Sequence, residues 1–165
     1  MPEHHMEEPY PLLQISGKNP EYAYAMLGNV GGKNSEMSAV ASYFYSHIVT
    51  AEHADVARAF HTISIAEMHH LEIFATLTRL LGADPRLWER QRGLMRYWSP
   101  GYIHYPRRVD TVLRNALKEE RDAIRKYEHQ AKTIADPHIV QALERVLRDE
   151  ESHVKTFERL LRQFI

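Results

Sequence analysis

A chain of 165 residues with 44% hydrophobic and 26% charged side chains is long enough to bury a core and too apolar to stay disordered, so one compact domain is expected. Its formal net charge of −1, spread without basic or acidic blocks, argues against a nucleic-acid or anionic-membrane partner, and no apolar run reaches the ~18 residues a bilayer span needs. The absence of cysteine excludes disulfides, thiol catalysis, thiolate zinc and iron–sulfur clusters, so any metal chemistry must use oxygen and nitrogen ligands.

Along the chain, Met1-Pro2-Glu3-His4-His5-Met6-Glu7-Glu8 has neither the basic start nor the apolar stretch of a secretory signal, and a cytoplasmic location is the expectation. Residues 1–19 are Pro-rich and aperiodic and read as an extended N-terminal arm, leaving 20–165 for a helical bundle. Pro20 opens a short helical turn through Met26, which Gly28, Gly31 and Gly32 are expected to interrupt. The first long helix starts near Lys33, with Glu36, Val40, Tyr43, Phe44, His47 and Ile48 as its inward face. A short link around Thr50–Asp55 makes the next helix its antiparallel neighbour; that helix carries Phe60, Ile63, Glu67, His70, Phe74, Leu77 and Leu81, and ends at Gly82. Residues 83–108, punctuated by Pro85, Pro100 and Pro106 among Trp88, Tyr97, Trp98, Tyr102 and Tyr105, suit a crossover along the bundle, with His104 as part of its packing. The third helix presents Val112, Leu113, Ala116, Leu117, Glu120, Ile124, Tyr127, Ala131 and Ile134 on one stripe. Asp136-Pro137 then caps a fourth, with Leu143, Val146, Leu147, Glu150, His153, Val154, Phe157, Leu160 and Leu161 inward. The fold class is all-α, a four-helix bundle with one long connection between helices two and three.

Two tetrapeptides, Glu67-Met68-His69-His70 and Glu150-Glu151-Ser152-His153, place a histidine three residues after a glutamate, and a lone glutamate, Glu36 or Glu120, sits on the helix before each. Residues three apart share a helix face about 5–6 Å apart at Cβ, so Glu67 and His70 can grip one ion while His69 points elsewhere. One Glu from each of two helices and a Glu-x-x-His from each of the others is the ligand set of a dinuclear metal bundle. Burying an unpaired ion costs several kcal/mol. Four inward glutamates therefore call for counter-charge, which two divalent cations supply in full. Carboxylates with imidazoles and open positions suit two iron or two manganese ions without choosing between them. Helix position makes Glu67 and Glu150 bridging ligands and Glu36 and Glu120 terminal, with His70 and His153 completing one ion each. Tyr43 and Tyr127 lie two turns beyond Glu36 and Glu120 on the same faces, placed either for core packing or for a hydrogen bond to an opposing carboxylate. Glu119 and Glu151 are expected to face solvent, with Glu119 the substitute for Glu120 if the helix phase slips by one. His47 reads as a satisfied or partly exposed histidine.

These residues carry a resemblance. Gly31-Gly32-Lys33-Asn34-Ser35-Glu36-Met37-Ser38, with Glu67-x-x-His70, Glu120 and Glu150-x-x-His153, is similar to the ferritin-like superfamily, nearest the rubrerythrin and manganese-catalase branches. Leu117–Phe157 resembles the second half of a rubrerythrin-type bundle. Rubrerythrins add a Cys-ligated module and usually a further Glu one turn after the third-helix ligand, where this chain has Ala123; manganese catalases extend further beyond helix four than Ile165. Met68 resembles the haem-ligating methionine of bacterioferritins, but a methionine there is more often an apolar helix-surface residue, and no haem is expected. The resemblance implies an oxidoreductase acting on hydrogen peroxide or dioxygen. Without Cys-ligated iron for electron entry, catalase-like disproportionation is favoured over a peroxidase fed by an external electron donor. The alternatives are ferroxidase or iron-handling activity, and a metal-stapled structural protein. A homodimer or larger homo-oligomer is expected.

Overall fold

The computed structural model describes residues 8–165; the first seven residues of the expected arm lie outside the described residues. Residues 8–19 run without helix, after which the elements are α1 (Pro20–Gly31), α2 (Glu36–Val49), α3 (Ala54–Leu81), β1 (Trp88–Gln91), β2 (Leu94–Tyr97), α4 (Val109–Thr133) and α5 (Pro137–Leu161). Short 3₁₀ turns occupy Pro100–Tyr102 and Arg162–Phe164. Helices α2 to α5 form the four-helix bundle: α2 packs on α3, α4 on α5, and α3 meets α5 between the pairs. No helix among the described residues is long and apolar enough to cross a membrane.

Local chemistry sets the helix ends. Asn19, Ser35 and Asp136 accept hydrogen bonds at the N-termini of α1, α2 and α5 from the backbone N–H of Tyr22, Ser38 and His138, and Pro20 and Pro137 occupy first-turn positions where a missing N–H costs nothing. Gly82, at φ 105°, closes α3 in the left-handed region and donates back to the carbonyls of Thr78 and Arg79.

Three expectations need correction. Helix α1 does not stop at Met26; it continues through Gly28 to Gly31, because Ala23, Met26, Leu27 and Val30 bury one stripe against α3 and that packing outweighs the weak helix propensity of glycine. Gly31 is required for a different reason: a Cβ there would lie 2.3 Å from the backbone nitrogen of Trp88, where β1 crosses the helix. The inward face of α2 is also rotated from the expected one. Ser38, Ser42, Tyr43 and Ser46 are buried, whereas Phe44 and Ile48 are 65% and 56% exposed. Finally, residues 83–108 are not simply an aperiodic crossover. They fold an antiparallel hairpin in which Trp88 pairs with Tyr97, their rings stacked at 5.5 Å, around an Arg92-Gly93 turn with both φ values positive, 50° and 78°.

Two apolar clusters fill the bundle. One joins Met26, Leu27, Phe74, Leu77, Tyr127, Leu143 and Val146; the other joins Tyr43, Phe60, Ile63, Leu113, Phe157 and Leu160. Between them, along α3, α4 and α5 alike, lies a short polar belt.

Candidate metal centre

That belt is where the structure brings Glu36, Glu67, His70, Glu120, Glu150 and His153 together, one helix contributing each lone glutamate and α3 and α5 each a Glu–His pair. All six are buried, none more than 3% exposed. Their donor atoms fall into two groups, Glu36–Glu67–His70–Glu150 and Glu67–Glu120–Glu150–His153, each with one atom per residue inside a 4.8 Å span. Glu67 and Glu150 belong to both. The imidazoles enter through Nδ1: that of His70 lies 3.0 Å from Glu67 Oε2 and 3.1 Å from Glu150 Oε1, and that of His153 lies 3.0 Å from Glu67 Oε1 and 3.2 Å from Glu150 Oε2.

Around this cluster, the hydroxyl of Tyr43 on α2 donates to Glu120 Oε1 on α4 at 2.7 Å, and that of Tyr127 on α4 donates to Glu36 on α2. Each tyrosine therefore serves the glutamate of the opposite helix pair. One carboxylate was not foreseen from the sequence. Asp149 accepts from His70 Nε2 at 2.9 Å and from the Tyr10 hydroxyl at 2.6 Å, while Arg145 Nη1 donates to its other oxygen at 2.6 Å. The sequence signal was faint: an Arg and an Asp four apart on a buried helix face, next to a proposed ligand.

The electrostatics follow from burial and crowding. Burial, then the neighbouring carboxylates of Glu67 and Glu150, pushes Glu36 and Glu120 well above the usual carboxylate range. Burial opposes charging His70 and His153, but the surrounding carboxylates win and raise both well above an ordinary histidine. Despite burial, Glu67 is drawn down by the imidazoles, and Glu150 is drawn down to about 2 by a hydrogen bond from Glu120 and then by the imidazoles. Without cations, the cluster thus balances two ionised glutamates with two imidazolium rings and keeps the outer two glutamates protonated.

A cavity of about 320 Å³ opens onto one side of the belt, with Glu36, Glu67, Glu120 and Glu150 in its wall. Here the placement of Glu119 departs from the expected solvent-facing one: it is half-buried, lines the cavity, and burial pushes its carboxyl up to about 7. His104 is exposed but also reaches the cavity wall. Glu151, His69 and Met68 face outward. His47 stands apart from the cluster, with Nδ1 2.8 Å from the Ala57 carbonyl and its ring against His61.

Residues 33–161 match the family described as rubrerythrin. The chain is similar to a probable manganese catalase of Clostridium acetobutylicum, 23% identical over 167 aligned positions that take in 90% of this chain and 74% of that protein. Among solved structures it resembles KatB, a manganese catalase from Anabaena PCC7120, at a TM-score of 0.83 and 25% identity, covering 97% of this chain and 80% of that one. A second structure of wild-type KatB from Anabaena superimposes with the same score at 26% identity.

Proposed function

The chain belongs to the rubrerythrin family, and from that premise we propose that it is a dinuclear manganese or iron carboxylate oxidoreductase that disproportionates hydrogen peroxide. The observation that carries the proposal is at the centre of the belt: Glu67 Oε1 and Glu150 Oε1 are buried without a well-directed donor, and each faces an imidazole Nδ1, that of His153 at 3.0 Å and that of His70 at 3.1 Å. Buried carboxylate oxygens are costly to leave unsatisfied, and these two belong to the residues common to both donor groups. A pair of cations would fit them, one held by Glu36 and His70 and the other by Glu120 and His153, with Glu67 and Glu150 common to both. Hard carboxylates with two imidazoles suit manganese or iron. Such a pair supplies two-electron chemistry by cycling between oxidation states, so one peroxide can be reduced and the next oxidised with no external donor.

The protein's own part is to hold and shield that chemistry. Tyr43 and Tyr127 fix the outer glutamates by donating to one carboxylate oxygen each. Asp149, which only accepts when ionised, requires the proton of His70 on Nε2 and so presents the Nδ1 lone pair inward. The apolar clusters close both ends of the belt to water, and the cavity leaves one side accessible to a molecule as small as peroxide. A homodimer is the assembly we favour, supported by the outward Phe44 and Ile48, one turn apart on α2, and by the exposed Ile65 and Met68 on α3.

The test is oxygen evolution from hydrogen peroxide by manganese-loaded protein, with metal content measured on the same sample. Vigorous oxygen release at about two ions per chain is expected. A protein that carries two ions yet is inert to peroxide, and instead consumes oxygen on addition of Fe(II), would overturn the assignment in favour of iron handling.

A further inference from the structure

The described part of the N-terminal arm is fastened along α5. At one end, Ser16 donates its backbone N–H and its hydroxyl to the carboxylate of Asp136, which also caps the helix. At the other, Arg145 donates through Nε and Nη2 to the Glu8 carbonyl at 3.1 and 2.8 Å, and Arg148 pairs with the Glu8 carboxylate at 3.0 Å. Between these points Leu13 and Ile15 pack on the core, and the Tyr10 ring lies under the Arg145 guanidinium at 4.3 Å. The Tyr10 hydroxyl and His70 Nε2 meet on the same oxygen, Asp149 Oδ2. One carboxylate oxygen therefore joins the arm to an imidazole whose Nδ1 faces the centre.

Among the described residues, nothing equivalent stands on the other side. The cluster has an approximate two-fold arrangement in which Glu67 and His70 on α3 match Glu150 and His153 on α5. The residue preceding Glu67, where α3 would offer the match of Asp149, is Ala66, and five before Glu67, matching Arg145, is Thr62. Neither brings a carboxylate to His153.

We propose that Tyr10 and Asp149 are positioning residues for one metal position only, the one held by Glu36, Glu67, His70 and Glu150, so that the arm and that ion stabilise each other. The inference rests on the dinuclear reading above. Asp149 holds the His70 ring in one orientation and keeps the proton on Nε2 when an ion takes the place of the one on Nδ1, and carboxylates in that role typically contribute about 10–100-fold to metal affinity. Coupling is reciprocal: whatever seating the arm contributes to the ion, the ion returns to the arm.

The experiment is a Mn(II) titration of the full chain with metal analysis, paired with hydrogen–deuterium exchange over residues 8–16, in the wild type and in Asp149→Ala, Asp149→Asn and Tyr10→Phe. Two binding steps of unequal affinity are expected in the wild type. Asp149→Ala should weaken the tighter step by about 10–100-fold and leave the other unchanged. Asp149→Asn, whose side-chain carbonyl can still accept from Nε2, should recover part of the loss, and Tyr10→Phe should weaken the same step by a smaller factor. Mn(II) should slow exchange over the arm in the wild type and not in Asp149→Ala. Equal weakening of both steps, unchanged affinities, or arm exchange indifferent to Mn(II) would overturn the coupling. If Asp149→Ala fails to fold, Tyr10→Phe decides alone, since it removes only one hydroxyl from a half-buried site. A wild type that takes up no pair of ions would defeat the dinuclear reading itself, an outcome distinct from two ions indifferent to Asp149.

Discussion

Each protonated group in the cation-free cluster sits where a metal ion would place its charge. Because His70, His153, Glu36 and Glu120 are all raised above their ordinary values, the cation-free protein holds their protons near neutral pH, and a cation must displace them. Metal uptake should therefore release protons, detectable with an indicator dye in weak buffer, and affinity should fall as the pH is lowered. Affinity that stays flat with pH would mean that the ions bind elsewhere. Replacing Tyr43 or Tyr127 by Phe removes the donor to Glu120 or Glu36 while keeping the ring in its cluster, so a loss of about tenfold in metal affinity with little change in melting temperature is expected. The tyrosines could be found in the sequence because a seven-residue step keeps a helix face. Asp149 could not, since its partners are Tyr10 on an aperiodic arm and His70 on another helix, and nothing in local spacing links three such distant positions.

At the level of elements, periodicity of 3.6 revealed the four bundle helices because each buries a continuous apolar stripe. It misjudged α2, whose buried face is largely serine: small side chains let that helix approach its neighbours closely and leave Phe44 and Ile48 outside. The hairpin escaped because strands of four residues, Trp88–Gln91 and Leu94–Tyr97, are too short and too exposed to alternate; its one local signal is Arg92-Gly93. Where β1 crosses α1, Gly31→Ala should destabilise by about 1–3 kcal/mol in chemical denaturation, since the added methyl meets backbone and not a movable side chain. Phe157, fully buried between Tyr43 and Phe60, should cost about 3–5 kcal/mol when cut to Ala.

For the molecule as a whole, the polar belt divides one apolar interior into two, and cations at the belt are expected to tie the halves together. Saturating Mn(II) at about a hundred times the dissociation constant should raise the melting temperature by on the order of 5–10 °C, read by calorimetry, with a chelator reversing the gain. The exchange of tyrosines has a further consequence. Tyr43 leaves its own hairpin, α2–α3, to reach Glu120, and Tyr127 leaves α4–α5 to reach Glu36. Neither hairpin is self-sufficient, and each completes its sibling by the same handshake. Two helical hairpins thus depend on each other, and the halves expressed as separate peptides should gain full helicity by circular dichroism only when mixed.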